Sequence, residues 1–415
     1  MFRFLIPLLF IFLAEYFSFV VLKTVLRSVN NPLRNILLLS MMVLSLCCWA
    51  AFGAIRHSEY LETHKTLRVY FIAFLFGFTI AKLLITVVML SDEIRRLLLW
   101  IWYKISPKVI NETTAAAGSG ISRSVFLARL AAGLGLFSVF GFLNGTRNRY
   151  NYKIKKIPLH FPNLPEAFRG LKILQLSDIH TGSFDSKKEV ARGIQMAMQQ
   201  KPDLILFTGD LVNDRALEAY DYAPIYAQLK APMGVFSVLG NHDYGDYWDW
   251  ESEEAKAKNL EDLKKFQSHL GWKLLMNEHV VFEKNGQKIA LIGVENWSDK
   301  ARFPKHGKMK EAYAGLPEKN IPFQILMSHD PSHWDAQVRP GYPKIDLTLS
   351  GHTHGMQFGV EIPGLKWSPA RLIYKQWAGL YTEGRQKLYV NRGYGYLGYP
   401  GRIGILPEIT VFELS

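Results

Sequence analysis

Cysteine is almost missing from this chain. Of 415 residues two are Cys, and they stand side by side as Cys47 and Cys48 inside an apolar run. No disulfide framework can therefore hold the later part of the chain together. Acidic residues are scarce at one end. Residues 1–150 carry 16 Lys and Arg against 6 Asp and Glu, while the remainder carries 33 against 30. Of the total +13, +10 thus flanks apolar runs and no patch forms on the polar part, which excludes nucleic acid as a general partner. No internal repeat is present.

Charge is absent altogether from residues 36–55. This is one of four apolar runs, at about 4–22, 36–55, 69–90 and 125–143, each near the ~20 residues that cross a bilayer as a helix. The first lacks a small-residue cleavage site after it, so it reads as a retained helix rather than a signal peptide. Two ionisable residues, Glu15 and Lys82, fall near mid-depth of parallel spans and are expected to pair. Residues 97–103 are too short to cross and suggest an interfacial helix. Residues 107–122 read as a loop. The expected organisation is a membrane region at 1–145, a basic linker at 146–170 and an α/β domain at 171–415.

What the later part has in abundance is polar clusters at strand ends. Asp178-Ile179-His180, Gly209-Asp210, Gly240-Asn241-His242-Asp243, Ser328-His329-Asp330 and Gly351-His352-Thr353-His354 each follow an apolar or β-branched run. Such runs predict buried strands. Asp-x-His on an extended segment would place both side chains on one face. Histidine nitrogens with carboxylate oxygens suit Mn, Fe or Zn better than Mg or Ca. Two such cations a few Å apart would turn a bridging water into hydroxide near neutral pH, poised to attack phosphorus.

These five motifs resemble those of the calcineurin-like metallophosphoesterase superfamily, in order and with every ligand type kept. The resemblance covers roughly residues 155–415 and implies an αββα sandwich holding two divalent ions. It implies Asp178, His180, Asp210 and His354 around the first ion. Asp210 would bridge to a second, held also by Asn241, His329 and His352. His242 would act beside the metals as proton donor, with Asp243 orienting it. Asp330 is a candidate to orient His329, or a plain turn residue.

The tail, with Arg392, Arg402 and several tyrosines and tryptophans, resembles the membrane-associated branch that includes bacterial phosphodiesterases and UDP-2,3-diacylglucosamine hydrolases. One reading of this tail places Arg392 or Arg402, as substrate-binding residues, near the cleft mouth, with at least two of Trp367, Tyr374, Trp377, Tyr394 and Tyr396 on its rim; the other is that these aromatics form a second small core and the arginines staple turns. The expected function is hydrolysis of a phosphoester, a diester before a monoester, in a phospholipid or lipid-linked phosphate. The alternatives are a UDP-2,3-diacylglucosamine pyrophosphohydrolase and, from another class, a non-catalytic membrane receptor or scaffold. Basic residues are nearly equal on the two sides of the spans. Ser122-Arg123-Ser124-Val125-Phe126-Leu127 resembles a twin-arginine export signal with Ser124 in place of the second arginine. It points to a multi-pass protein of a bacterial inner or plasma membrane, with the catalytic domain on the outer face.

Overall fold

The computed structural model describes residues 2–54, 59–105 and 122–415. Apart from Ser122, the loop expected at 107–122 lies outside the described residues. The chain divides into two compact units, Met1–Thr146 and Arg147–Ser415.

The first unit contains α1 (Phe2–Val25), α2 (Asn31–Ala54), the short α3 (Glu59–Thr63), α4 (Lys65–Ile105) and α5 (Arg123–Gly145). All but α3 are long and apolar enough to cross a membrane, and they cover the four predicted runs. Residues 97–103 are not a separate interfacial helix. They are the last turns of α4, which runs unbroken for 41 residues because no Gly, Pro or capping residue interrupts it there.

On α5, Ala128, Ala131, Gly135 and Ser138 are buried at alternating spacings of three and four, which puts them on one stripe. Ser138 Oγ donates to the Gly77 carbonyl of α4 at 3.3 Å, and a Cβ on Gly77 would lie 2.9 Å from Val139 Cα. Small residues let the two backbones approach this closely, which is what packs helices where no hydrophobic effect drives them. Glu15 and Lys82 form the expected ion pair. Lys82 also reaches Ser45 Oγ at 2.5 Å, and Trp49 Nε1 donates to Glu15 at 2.8 Å. Arg123 of the export-like segment also bonds the buried Asp92 carboxylate at 3.1 Å.

The second unit holds two six-stranded sheets. One runs β1 (Lys153–Leu159), β14 (Glu408–Leu414), β2 (Lys172–Leu176), β3 (Leu204–Phe207), β4 (Val235–Ser237), β5 (Lys273–Leu274). The other runs β12 (Gly379–Glu383), β13 (Gln386–Val390), β9 (Leu347–Ser350), β8 (Phe323–Met327), β7 (Gln287–Gly293), β6 (Glu278–Lys284). A small hairpin of β10 (Val360–Ile362) and β11 (Leu365–Trp367) stands outside both.

The inner faces meet through Ile173, Leu206 and Phe236 on one side and Leu291, Ile325 and Leu349 on the other. The outer face of the first sheet is covered by α6 (Lys187–Met198), the single turns α7 (Leu217–Tyr220) and α8 (Ala223–Tyr226), and α9 (Glu253–His269). The second sheet packs Ile292, Leu326 and Val390 against Met309, Leu316 and Trp334. Two sheets between helical layers make the αββα sandwich. Local signals agree with the elements: Ser186 accepts from the Glu189 amide at 3.3 Å to start α6, the Ser-x-x-Glu pattern of a capped helix.

The stretch 146–170 is not a free linker. β1 lies within it and pairs in parallel with the last strand, from Lys153↔Glu408 to Leu159↔Leu414. Its lysines and Pro158 are what an edge strand carries to block further pairing, and the same residues make it read as a linker.

Candidate metal centre

β2, β3 and β4 are parallel, as are β7, β8, β9 and β13. Five ligand-bearing loops therefore leave the carboxyl ends of β2, β3, β4, β8 and β9 at one edge of the sandwich. There two groups gather, Asp178 with His180 and His354, and Asp210 with His329 and His352. Within each group the candidate donor atoms lie within 4.8 Å of one another. Asp210 stands between them: its Oδ2 is 3.5 Å from His180 Nε2 and 3.1 Å from His329 Nε2.

The backbone that achieves this is strained. Asp178, His180, Asp210, His352 and His354 all have φ between 49° and 71°, a region sparsely used by residues with a side chain. Asp178 and His180 thus do not share a face by strand alternation, since β2 ends at Leu176. Left-handed turns aim both inward. The glycines before the ligands make room. A Cβ on Gly240 would sit 2.1 Å from Asp210 Oδ1, and one on Gly351 2.1 Å from Asp178 Oδ2.

Hydrogen bonds orient each ring. His329 Nδ1 faces the Thr208 carbonyl at 2.7 Å, leaving Nε2 toward Asp210. His352 directs Nδ1 toward His329 Nε2 at 3.2 Å, while its Nε2 is held by Tyr374 Oη at 2.8 Å and Asp330 Oδ2 at 3.3 Å. Asp330 therefore orients His352, not His329. Burial pushes the His180 imidazole down to about 3 and that of His352 to about 4. It also holds His354 well below its usual range, assisted by His180 and Arg402. These rings stay neutral with lone pairs available. Burial opposes ionisation of Asp210, but His329 and His242 overcome it and hold the carboxyl well below its usual value. Burial raises Asp178 to about 7.

The donor set fits cations. His180 Nε2 and His354 Nε2 lie 3.0 Å apart and point into the same space. Asn241 Oδ1 is buried without a hydrogen-bond partner among the described residues, while its Nδ2 is tied to Tyr247 Oη at 3.0 Å. An orphaned acceptor beside clustered ring nitrogens and carboxylates is what a cation satisfies. His242 is set apart. Its Nδ1 donates to the Asn213 carbonyl at 2.7 Å, and its ring stands edge-on to His180.

Residues 171–356 match the family described as calcineurin-like phosphoesterase, and residues 2–149 match a probable calcineurin-like phosphoesterase transmembrane domain. The chain is 30% identical over 256 residues to the uncharacterized metallophosphoesterase YkuE of Bacillus subtilis (strain 168), covering 61% of this chain and 82% of that protein. The chain belongs to the calcineurin-like phosphoesterases. It is also 30% identical over 307 residues to the transmembrane protein with metallophosphoesterase domain of Danio rerio, covering 72% of this chain and 64% of that one. With the phosphodiesterase YaeI of Escherichia coli (strain K12) the identity is 29% over 296 residues, 71% of this chain and 99% of the relative. With four apolar helices ahead of its catalytic unit, this phosphoesterase is a multi-pass membrane protein.

Three expectations about the phosphoesterase site need correction. Asp243 does not orient His242. Its buried carboxylate accepts the amides of Asp210 and Leu211 at 2.8 Å and of Gly240 at 2.9 Å, and so clamps two ligand loops together. Arg392 and Arg402 are not at the cleft mouth. Both are buried: Arg392 pairs with Glu408 and Glu361, and Arg402 donates to the carbonyls of Arg392, Gly393, Gly395 and His354. They staple the tail beneath the ligands, where a Cβ on Gly393 would lie 2.9 Å from His354 Nδ1. Of the five expected rim aromatics only Tyr374 lines the cleft, while Trp377, Tyr394 and Tyr396 are core.

The cleft, about 410 Å³, is walled instead by Tyr247, Arg302, Phe303, Met356 and Leu397. Arg302 and Phe303 sit in the loop 294–308 after β7. That loop leaves the same sheet edge as the ligand loops, and a strand-end rule applied to every long loop would have found it.

Proposed function

We propose that this chain is a membrane-anchored phosphodiesterase with two divalent ions, Mn, Fe or Zn, acting on a phospholipid or lipid-linked phosphate. Asp178, His180, Asp210 and His354 hold one ion; Asp210, Asn241, His329 and His352 hold the other. The observation that carries this reading is the single oxygen of Asp210 within 3.5 Å of a ring nitrogen from each group. Bound there, such ions lower the pKa of coordinated water and neutralise phosphoryl oxygens.

The protein's own groups complete the chemistry. With Nδ1 committed to Asn213, His242 presents Nε2 to the leaving oxygen and delivers a proton there as general acid. Arg302, exposed at the cleft, pairs with a non-bridging phosphoryl oxygen. Phe303, Met356 and Leu397 offer apolar wall to a second ester arm, which favours a diester over a monoester. Membrane attachment supports a lipid substrate. We assign the catalytic unit to the outer face on the export-like segment at 122–127.

Membranes incubated with the full-length protein and with Asp210→Asn, analysed by mass spectrometry of their lipids, test the proposal. One phospholipid or lipid-linked phosphate must fall with the first and not the second. Release of a uridine nucleotide would point to the pyrophosphohydrolase. Turnover of small phosphodiesters with every lipid unchanged would overturn the lipid reading.

A further inference from the structure

The hairpin of β10 and β11 is patterned inside out. Its register pairs Val360 with Trp367, Glu361 with Lys366 and Ile362 with Leu365. Alternation puts Val360, Ile362, Leu365 and Trp367 on one face and Glu361 with Lys366 on the other. In an ordinary soluble domain the apolar face turns inward. Here the polar face is the one tied to the domain by its side-chain ends, with Glu361 half-buried and the Lys366 stem still exposed. Glu361 is bound by Arg392 at 2.6 Å, and Lys366 Nζ donates to the Ala378 carbonyl. The apolar face is left in solvent, with Ile362 59% and Leu365 52% exposed. A two-stranded ribbon gains little stability alone, so an outward apolar face needs a covering surface to explain it.

The turn that follows repeats the pattern. Between Ala370 and Tyr374, which both line the cleft, Leu372 is 83% exposed and Ile373 40%. Lys366, Arg371 and Lys375 are the only charged residues from 363 to 380, so the segment carries no acid. With Lys366 bound to the Ala378 carbonyl, the exposed Arg371 and Lys375 are the cations that flank the apolar face, which matches an anionic lipid surface. The chain brings such a surface within reach. Only residues 146–152 separate α5 from β1, a stretch of ~25 Å at most. The hairpin is moored beside that same strand, with Lys155 Nζ 3.9 Å from Glu361.

We propose that the outer face of the β10–β11 hairpin, with Leu372 and Ile373, lies in the interface of an anionic bilayer beside the cleft. Arg392, expected from the sequence to meet head groups, acts by holding the hairpin's polar face to the domain. The hairpin's location does not depend on the substrate; its effect on kinetics rests on the lipid reading above.

The test uses full-length protein with Cys47 and Cys48 replaced by Ala, in vesicles containing phosphatidylglycerol. An environment-sensitive fluorophore is placed at Leu365→Cys, at Leu372→Cys and, as control, at Lys284→Cys on the β6–β7 turn. Labels at 365 and 372 should be quenched several-fold more by nitroxide-bearing lipids than by iodide, and the control should show the reverse. Equal behaviour at all three positions would overturn the proposal. So would labels at 365 and 372 shielded from both quenchers, which means a protein covers the face. Leu365→Glu with Leu372→Glu should raise KM for a vesicle-embedded phosphodiester about 10-fold and leave kcat/KM for bis(4-nitrophenyl) phosphate unchanged. Labels immersed in lipid without any lipid hydrolysis would keep the docking proposal and remove the substrate reading.

Discussion

Two clusters of ionisable groups, one in each unit of the molecule, are satisfied in opposite ways. In the helical unit, Glu15 meets Lys82, with Ser45 and Trp49 taking further bonds. Charges of opposite sign close on each other and nothing is left over. In the α/β unit, Asp178, Asp210 and four histidines crowd one edge. Burial keeps His180 and His352 neutral, and ring nitrogens are turned toward each other. The first arrangement is complete as a structure. The second leaves a buried acceptor, Asn241 Oδ1, without a partner among the described residues. A buried polar cluster thus announces a ligand when its donors and acceptors fail to match.

Breaking the second arrangement should have the largest effect. Asp210→Asn removes the shared oxygen, so bound metal measured by elemental analysis should fall. The kcat for a phosphodiester should drop about 10⁴-fold, since several kcal/mol of charge stabilisation are lost. Unchanged metal content would show that Asp210 is not shared. His242→Ala should leave metal content intact and lower kcat by about 10²–10³-fold, with a smaller loss for nitrophenolate leaving groups. A loss of metal in that variant would make His242 a ligand.

The closed pair should respond as a structural element. Glu15→Gln strands the Lys82 ammonium and should destabilise the helical unit by about 2 kcal/mol in detergent unfolding. Adding Lys82→Met should recover most of that, with phosphoesterase activity unaffected throughout. An equal loss in the double variant would mean that the pair does not couple. The smallest effect is expected where the two styles meet, at the Asp330 carboxylate that holds His352. Asp330→Asn should weaken metal affinity about 10-fold, at the low end for an outer partner of a metal-binding histidine. A titration of metal into the apoprotein measures it.

Much of this protein was legible in its residues because the signals are local. Four apolar runs became α1, α2, α4 and α5. Strands at 171–177, 203–208, 234–239, 322–327 and 345–350 were predictable from apolar runs ending in polar turns. β1 was not, because an edge strand carries lysine and proline and pairs with a partner 255 residues away. β10 and β11 were not, because their apolar side faces out and reads as part of a loop.

Within the site, the seven residues from Asp178 to His354 were named by motif, since a ligand's chemistry is written in its type and its place after a strand. The assignments that failed concern what a long side chain reaches. Arg392 and Arg402 bear the charge a phosphate needs, yet they are spent on Glu408, Glu361 and backbone carbonyls beneath the ligands. Asp243 is adjacent to His242 in the chain but clamps the amides of two other loops. Arg302 reaches the cleft from a loop with no motif. Residue type and strand-end position are properties of the chain, and they determined the fold class and the candidate ligand set. Which arginine is buried, which carboxylate steadies which ring and which face of a hairpin turns outward depend on neighbours distant in sequence, and only the packing of the two sheets decided them.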